Sequence, residues 1–316
     1  MSGQTNKGKF HLTATAASIG ALVIWALGPN FIKYLTAYLD AWTQNLLRYS
    51  VACLFWLPFL AWTIRSGQLD KDVWRRAILP AGANVIMQSL WAAAFYYIDP
   101  AFMALLSKTS ILWIAAFALI FFPDERALLG SMRFWLGLGL CIIGVTGVLY
   151  FKGDFVATGT TTGVLISLGC SAMWGVYTVA VRAAFRNVDS RSGFSVISIY
   201  TVAGLAVAAL LFGDVRRCAT LGPRQWMVVI VSAVLCIALA HVFYYAAIKR
   251  IGATIPSLII LAQPFAVFAI SHFAFGESMN LAQLLSGIIL LIGAALSIWA
   301  QTLLPADYSP AADRSS

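Results

Sequence analysis

Long apolar runs separated by short polar segments fill the chain from end to end. Eight runs of about 20 residues or more contain no Asp, Glu, Lys or Arg: 12–32, 77–98, 134–151, 155–181, 192–213, 225–248, 251–276 and 278–306. Two more, 41–64 and 100–123, hold one basic residue each, Arg48 and Lys108. Since about 20 apolar residues cross the hydrocarbon core as a helix, the pattern predicts ten transmembrane helices. The runs are continuously apolar rather than alternating, which excludes the strands of a membrane barrel.

Composition supports the same class of protein. Only 10% of the 316 residues are charged and 61% are hydrophobic, whereas a soluble globular protein averages about 25% charged residues. A soluble enzyme or a nucleic-acid-binding protein is therefore excluded. The five cysteines include no C-x-x-C pair, so neither a disulfide scaffold nor a metal site is predicted.

The loops between the runs predict the orientation of the chain. Alternate loops place 14 Lys and Arg residues on one side of the membrane and 5 on the other, with the remaining two inside it. Because basic residues concentrate on the cytoplasmic side, we expect both termini, residues 1–11 and 304–316, to be cytoplasmic.

The chain also repeats itself. Four features recur in order at offsets of 148 to 152 residues: Ser18-x-Gly20-x4-Trp25 with Ser167-x-Gly169-x4-Trp174, Phe95-Tyr96-Tyr97 with Phe243-Tyr244-Tyr245, Glu125 with Glu277, and Gly144 with Gly293. This predicts two five-helix repeats, 12–151 and 155–303. Since five is odd, the second copy crosses the membrane in the opposite sense, as in many secondary transporters. The predicted fold is an all-α integral membrane protein with ten transmembrane helices in two inverted five-helix repeats.

This architecture resembles the drug/metabolite transporter superfamily, in its EamA-domain branch, over roughly residues 12–303. Within that branch the chain is most similar to the bacterial aromatic amino-acid exporters of the YddG type. The resemblance implies that the two repeats surround a central cavity lined by spans 1, 3, 4, 6, 8 and 9, with spans 5 and 10 at the periphery. It also implies export across a bacterial inner membrane.

Two charges lie inside the predicted membrane. Lys108 and Arg48 are the ninth and eighth residues of their spans, and such charges usually mark function because they are expensive to insert. A lone cation facing a cavity suits a carboxylate or another anion on a substrate. The alternative is that these long side chains reach the headgroups.

Polar and aromatic side chains at helical spacing complete the candidate site. Asn84, Gln88 and Trp91 share one face of span three, and amides there must meet protein or water rather than lipid. Helix packing is the alternative for these residues, as it is for His241. The predicted substrate-binding set is Lys108, Trp25, Asn84, Gln88, Trp91, Trp113, Trp174, Tyr177, His241, Tyr244, Gln263 and Arg48.

Prolines interrupt spans one and nine at Gly28-Pro29 and Gln263-Pro264. Because proline removes a backbone hydrogen bond, Gly28, Pro29 and Pro264 are predicted to act as a gate or hinge. A merely structural kink is the alternative.

The sequence therefore predicts a secondary transporter rather than an enzyme, with no catalytic residue and no cofactor. The predicted cargo is small organic solutes, with amino acids favoured and aromatic ones in particular, exported down their gradient. Nucleotide-binding motifs are absent, which argues against an ATP-driven pump unless a separate subunit supplies the ATPase; no such subunit is implied. The expected partners are a small-molecule substrate and the bilayer. All twelve acidic residues lie outside the spans, so obligatory proton movement is not expected. The alternatives are an exchanger of organic anions or phosphorylated metabolites and, from another class, an integral-membrane lipid-modifying enzyme.

Overall fold

The computed structural model describes residues 12–153, 158–185, 188–240, 243 and 254–300. Twelve α-helices are described in this part of the chain: α1 Leu12–Leu35, α2 Ala41–Arg65, α3 Asp72–Ala94, α4 Pro100–Ser107, α5 Ser110–Phe121, α6 Met132–Tyr150, α7 Thr158–Ala184, α8 Ser190–Phe212, α9 Pro223–Ser232, α10 Thr254–Ile260, α11 Gln263–Phe275 and α12 Leu281–Ala300. Short 3₁₀ helices occupy Pro123–Gly130 and Val215–Thr220, and a π-helical segment, Ala233–Leu239, continues α9.

Nine of the ten predicted spans are long and apolar enough in the described residues to cross a membrane. The eighth span is described only over Pro223–Leu239 as a shorter apolar helix. The helix of the third span begins at Asp72 rather than at residue 77. Its first turn holds charged side chains that can stay in water, so the helix extends beyond the apolar run. The first continues to Leu35 through Pro29.

The fourth and ninth spans are each broken near the middle. Between α4 and α5, and between α10 and α11, the backbone makes i to i+3 hydrogen bonds: Thr109 N–H donates to the Leu106 carbonyl at 3.0 Å, and Ala262 N–H to the Ile259 carbonyl at 3.1 Å. Pro264 lies in the first turn of α11. It has no N–H to bond the preceding turn, which accounts for the second break, and a new helix can start there because its first N–H groups need no helical partner. At the first break the Thr109 hydroxyl donates to the Leu106 carbonyl at 2.7 Å and thereby competes with the helical pattern.

The helices pack through small residues at one crossing and large ones at another. At the α6–α12 crossing, Gly144 lies against the Leu290 backbone, so closely that a methyl group on Gly144 would be 2.3 Å from the Leu290 nitrogen. Close approach at glycine is a usual way for membrane helices to associate. Where α3, α4 and α7 meet, Phe95, Phe102 and Leu106 form a fully buried cluster.

Candidate functional site

Lys108 lies at the break between α4 and α5 and bridges to the break in the other half of the chain. Its Nζ donates to Gln263 Oε1 at 2.8 Å, and Gln263 is the first residue of α11. The described residues show no carboxylate paired with Lys108. The intramembrane cation is therefore held by a neutral amide, which an anionic group could replace.

A chain of hydrogen bonds continues from Gln263 to the first helix. Gln263 Nε2 donates to the Trp25 carbonyl at 3.1 Å. In a continuous helix that carbonyl accepts from the N–H of residue 29, but Pro29 has none. The proline thus leaves a carbonyl inside the membrane, and a side chain from the other half satisfies it.

The same turn of α1 contacts the π segment. Trp25 Nε1 donates to the Cys236 carbonyl at 3.0 Å, and the Cys236 thiol donates to the Ile24 carbonyl at 3.2 Å. Gly28 faces Cys236, with 3.6 Å between the Cys236 Cβ and a Cβ built on the glycine. Lys108, Gln263, Trp25 and Cys236 form a continuous chain, which we call the Lys108 bridge.

The three predicted residues on one face of α3 differ in burial. Asn84 is buried and its Nδ2 donates to Thr201 Oγ1 on α8 at 2.9 Å, so this amide joins two helices. Gln88 and Trp91, one and two turns further, are only partly buried. Trp91 packs edge-on against Phe95 with 5.3 Å between ring centroids.

Trp174 lies on an inward face of α7. It follows Cys170 and Ser171 by one turn, and these residues donate to the Met87 carbonyl on α3 at 3.4 Å and to the Leu106 carbonyl on α4 at 3.3 Å. A side chain on that face points between α3 and α4, yet Trp174 is 42% exposed. Trp174 is therefore accessible despite lying beside residues that pack against these helices.

Two further aromatic residues lie near Trp174. Tyr177 packs 6.2 Å from its ring centroid and contacts buried residues of α3. Trp113 on α5 is 39% exposed, and a Cβ built on Gly175 would be 2.9 Å from its Cβ. The structure thus brings Trp113, Trp174 and Tyr177 together along α5 and α7.

Arg48 has different neighbours from Lys108. Its side chain is buried, and Nε donates to Ser232 Oγ at the end of α9 at 3.0 Å. The two cations therefore have separate hydrogen-bond partners. His241 and Tyr244 lie outside the described residues.

Glu277 is a buried group for which the sequence suggested no role beyond its match with Glu125. Its carboxylate accepts from the N–H groups of Ala101 and Phe102 at 3.0 and 3.1 Å, at the start of α4, and from the Ser271 hydroxyl. Burial raises the pKa of the Glu277 carboxyl above its usual value and outweighs these hydrogen bonds. The start of α4 attracts a carboxylate, but the sequence places Glu277 only after the ninth span and does not indicate which helix start it contacts.

Glu277 belongs to a set of contacts at the end of the molecule where α1 ends and α2 begins, which we call the 36–40 end. Three more contacts join loops there: Lys33 with Asp99 at 3.3 Å, the Asp214 N–H with Asp40 Oδ2 at 2.9 Å, and Asn280 Nδ2 with the Phe151 carbonyl at 2.6 Å. Burial alone would raise the pKa of Asp40, but hydrogen bonds from Asp214, Thr43 and Trp42 hold it below its usual value.

Metal chemistry has no support in the described part of the chain, where no group of three or more His, Cys, Asp or Glu side chains could hold an ion. What the geometry offers is a cation paired with a neutral amide, a partly buried amide at Gln88 and half-exposed aromatic rings. Such a set can bind an amphipathic solute.

Comparison with known proteins agrees with the architecture. A profile of the EamA-like transporter family matches the chain twice, over residues 12–150 and 161–299. An uncharacterized transporter of Haemophilus influenzae is 22% identical, covering 92% of this chain and 96% of that protein. The uncharacterized transporter YyaM of Bacillus subtilis is also 22% identical, with 90% and 92% covered.

An uncharacterized transporter of Archaeoglobus fulgidus is 21% identical, covering 87% of this chain and 94% of that protein. One solved crystal structure has a TM-score of 0.61 at 19% identity, covering 93% of this chain and 99% of that one; at this identity it shows the fold alone. The family profile covers both halves, and the chain therefore belongs to the EamA-like transporter family.

Proposed function

We propose that this transporter exports small organic solutes bearing a carboxylate, with aromatic amino acids as the favoured class, as in the YddG-type exporters. The observation that carries the proposal is the Lys108–Gln263 contact, 2.8 Å long between two broken spans. An ammonium paired with an amide gains more from a carboxylate than from the amide it gives up. An incoming carboxylate would therefore displace Gln263.

The aromatic preference is supported by the rings beside the site. Trp174 and Trp113 are 42% and 39% exposed, and Trp91 is partly buried on the inner face of α3. Aromatic rings gain about 0.5–1.5 kcal/mol from pairing with one another beyond the area they bury. A solute with a flat side chain uses this surface, whereas an aliphatic one gains only the burial.

Displacement of Gln263 also suggests how transport proceeds. The Lys108 bridge joins the first half, 12–150, to the second, 161–299, and a substrate that replaces Gln263 loosens that link. An inverted relation of the halves is supported by α1 ending, and α7 beginning, near the 36–40 end. We propose alternating access of the two halves around Lys108, with Gly28, Pro29 and Pro264 as hinges.

The setting of this function is a bacterial inner membrane with both termini in the cytoplasm, in line with the excess of basic residues in alternate loops. The 36–40 end is then extracytoplasmic. Flux follows the solute gradient without obligatory proton movement, since all acidic residues lie outside the apolar spans.

The test is exchange of labelled solutes in proteoliposomes, with aromatic, aliphatic and acidic amino acids and a phosphorylated sugar as the panel. Lys108→Met should lower the exchange of carboxylate solutes at least about tenfold, because a hydrogen bond to a charged group contributes about 1.5–3 kcal/mol. Lys108→Arg should retain part of the activity. Lys71→Met, which removes an exposed charge outside the spans, should have no effect.

Equal phenylalanine exchange by Lys108→Met and the parent protein would show that Lys108 is not the carboxylate anchor. A preference for the phosphorylated sugar would favour an organic-anion exchanger instead. An imposed pH gradient should drive no accumulation; accumulation that collapses with a protonophore contradicts the uncoupled mechanism.

A further inference from the structure

Arg48 is a buried cation that the Lys108 bridge does not use. Its side chain is 3% exposed on α2, inside a membrane-spanning helix. Its hydrogen bond in the described residues runs from Nε to Ser232 Oγ. No ion pair in the described ranges involves it, and the segments outside those ranges near the eighth and ninth spans contain no Asp or Glu.

The neutral partner does not balance the charge. A buried cation without a counter-charge is among the costliest arrangements in a protein interior. Removing one partner of a buried ion pair is strongly destabilising for the same reason, because the remaining charge is left uncompensated. Acidic residues occur only outside the apolar spans, so the chain itself supplies no carboxylate at this depth. A bound anion would supply the missing charge.

The guanidinium is also oriented for such a ligand. Ser232 Oγ accepts from Nε and donates to the Val229 carbonyl at 3.0 Å, so it fixes one edge of the group. The two terminal nitrogens form the fork that binds oxyanions in bidentate fashion, and they make no hydrogen bond to the residues that the structure describes. Ser232 directly precedes the π segment Ala233–Leu239, and π-helical turns are frequent at functional sites.

A second side chain beside Arg48 has unused hydrogen-bonding capacity. Asn45 lies one turn earlier on the same face of α2 and is fully buried. Its Nδ2 donates to the Gln88 carbonyl, whereas its Oδ1 has no partner among the described residues. Buried acceptors are normally satisfied, so an orphaned one next to an unbalanced cation indicates a position that holds a further hydrated or protonated group.

We propose that Arg48 binds a single small anionic group at a site separate from Lys108, with Ser232 as the residue that orients the guanidinium. The occupant is either a free inorganic anion such as chloride or the carboxylate of a solute. The proposal goes beyond the export function, since it concerns binding at Arg48 whether or not Lys108 anchors a substrate.

The experiment measures the unfolding temperature of the purified protein in detergent. In the first arm, sodium chloride is compared with uncharged sorbitol at equal osmolality, and Arg48→Gln reports the nonspecific effect of salt. In the second, phenylalanine is compared with phenylalaninamide in the sorbitol buffer, in the parent protein and in Lys108→Met. Occupancy of the site should raise the Tm by about 2–4 °C: a shift with chloride identifies a free anion, and a phenylalanine shift that Lys108→Met retains identifies a solute carboxylate at Arg48.

The variants assign the shift to a residue. Arg48→Gln should lose it, Arg48→Lys should need about tenfold more anion because an ammonium lacks the fork, and Lys108→Met should keep the chloride shift. The proposal is overturned if neither arm shifts the parent protein, or if Arg48→Gln shifts as much as the parent. If Arg48→Gln does not fold, Arg48→Lys and Ser232→Ala decide, since an undiminished anion affinity in both contradicts the assignment. Because the readout is binding, loss of transport in Lys108→Met leaves this result unaffected.

Discussion

The fourth span of the first half and the ninth span of the chain share a backbone feature but differ in chemistry. Both break after a short helix, α4 or α10, and resume within three residues as α5 or α11. The first break carries Lys108, whereas the second carries Leu261 and Ala262, followed by Gln263. Duplication has kept the broken helix, and divergence has placed the charge on one side and its amide partner on the other.

The two matching glutamates differ in the same way. Glu277 accepts from two N–H groups at the start of α4, which belongs to the other half. Glu125 pairs with Arg182 on α7 instead, and the Arg182 guanidinium also lies 4.2 Å over the Phe122 ring. Equivalent positions thus have unlike partners, so the two halves differ in their contacts even where their sequences match.

The largest effect is expected where the halves are most alike, at the α6–α12 crossing. Gly144→Ala places a methyl group 2.3 Å from the Leu290 nitrogen, and Gly293→Ala places one 2.5 Å from the Cys141 nitrogen. Each should cost at least about 3 kcal/mol, the upper end for overpacking, because backbone atoms are in the way. Gly139→Ala, with no atom within 4 Å, should stay within about 1 kcal/mol of the parent.

Reversible unfolding in detergent measures these differences. Similar losses for Gly144→Ala and Gly293→Ala would support the equivalence of α6 and α12. An unchanged free energy of unfolding for Gly293→Ala would show that the crossing accepts a methyl group on one side and that the halves differ here too.

The next effect separates the two glutamates. Glu277→Ala leaves two buried N–H groups without an acceptor, which should cost about 1–3 kcal/mol. Glu125→Ala leaves Arg182, whose side chain is 37% exposed and can reach water, so its loss should stay below about 1 kcal/mol. The same unfolding measurement compares them, and an equal loss from both substitutions would remove the asymmetry between the halves.

A smaller effect is expected from pH, with opposite signs at Glu277 and Asp40. The raised pKa of Glu277 means that the folded protein holds its proton more tightly than the unfolded chain. Stability from this group is therefore present below the ordinary glutamate value of about 4.3 and is lost as the pH rises through the raised pKa. The lowered pKa of Asp40 gives stability above the ordinary aspartate value that is lost as the pH falls.

Unfolding temperatures measured across this range test the assignment. Glu277→Gln should remove the decline on the alkaline side of about pH 4.3, and Asp40→Asn should remove the decline on the acid side. A Glu277→Gln profile identical to that of the parent would contradict a raised pKa at this carboxyl.

Much of this architecture could be predicted from the sequence, and the contacts inside it could not. The length of each apolar run determines a span, so the helices and their order follow directly. The position of Lys108 inside an apolar span was visible as well, but its contact with Gln263 was not, because periodicity does not fix how two helices are rotated about their axes. The face containing Asn84 illustrates the limit: its spacing predicts an inward direction, and only the neighbouring Thr201 on α8 reveals a packing contact.

The smallest perturbation tests which end of the molecule faces outward. Cys218 lies in the 3₁₀ helix Val215–Thr220 and is partly exposed, whereas the other four cysteines are buried. The nearby Asp214 N–H bonds Asp40, so Cys218 belongs to the 36–40 end. If that end is extracytoplasmic, a membrane-impermeant maleimide should label Cys218 in intact spheroplasts and should not label Cys218→Ser. Burial raises the pKa of the Cys218 thiol, so labelling should accelerate as the pH rises, because the thiolate reacts.

Ser66→Cys in the Cys218→Ser background supplies the matched control, since Ser66 is exposed after α2, at the opposite end. It should react only after the membrane is permeabilised, and the reverse pattern for the two positions would invert the orientation.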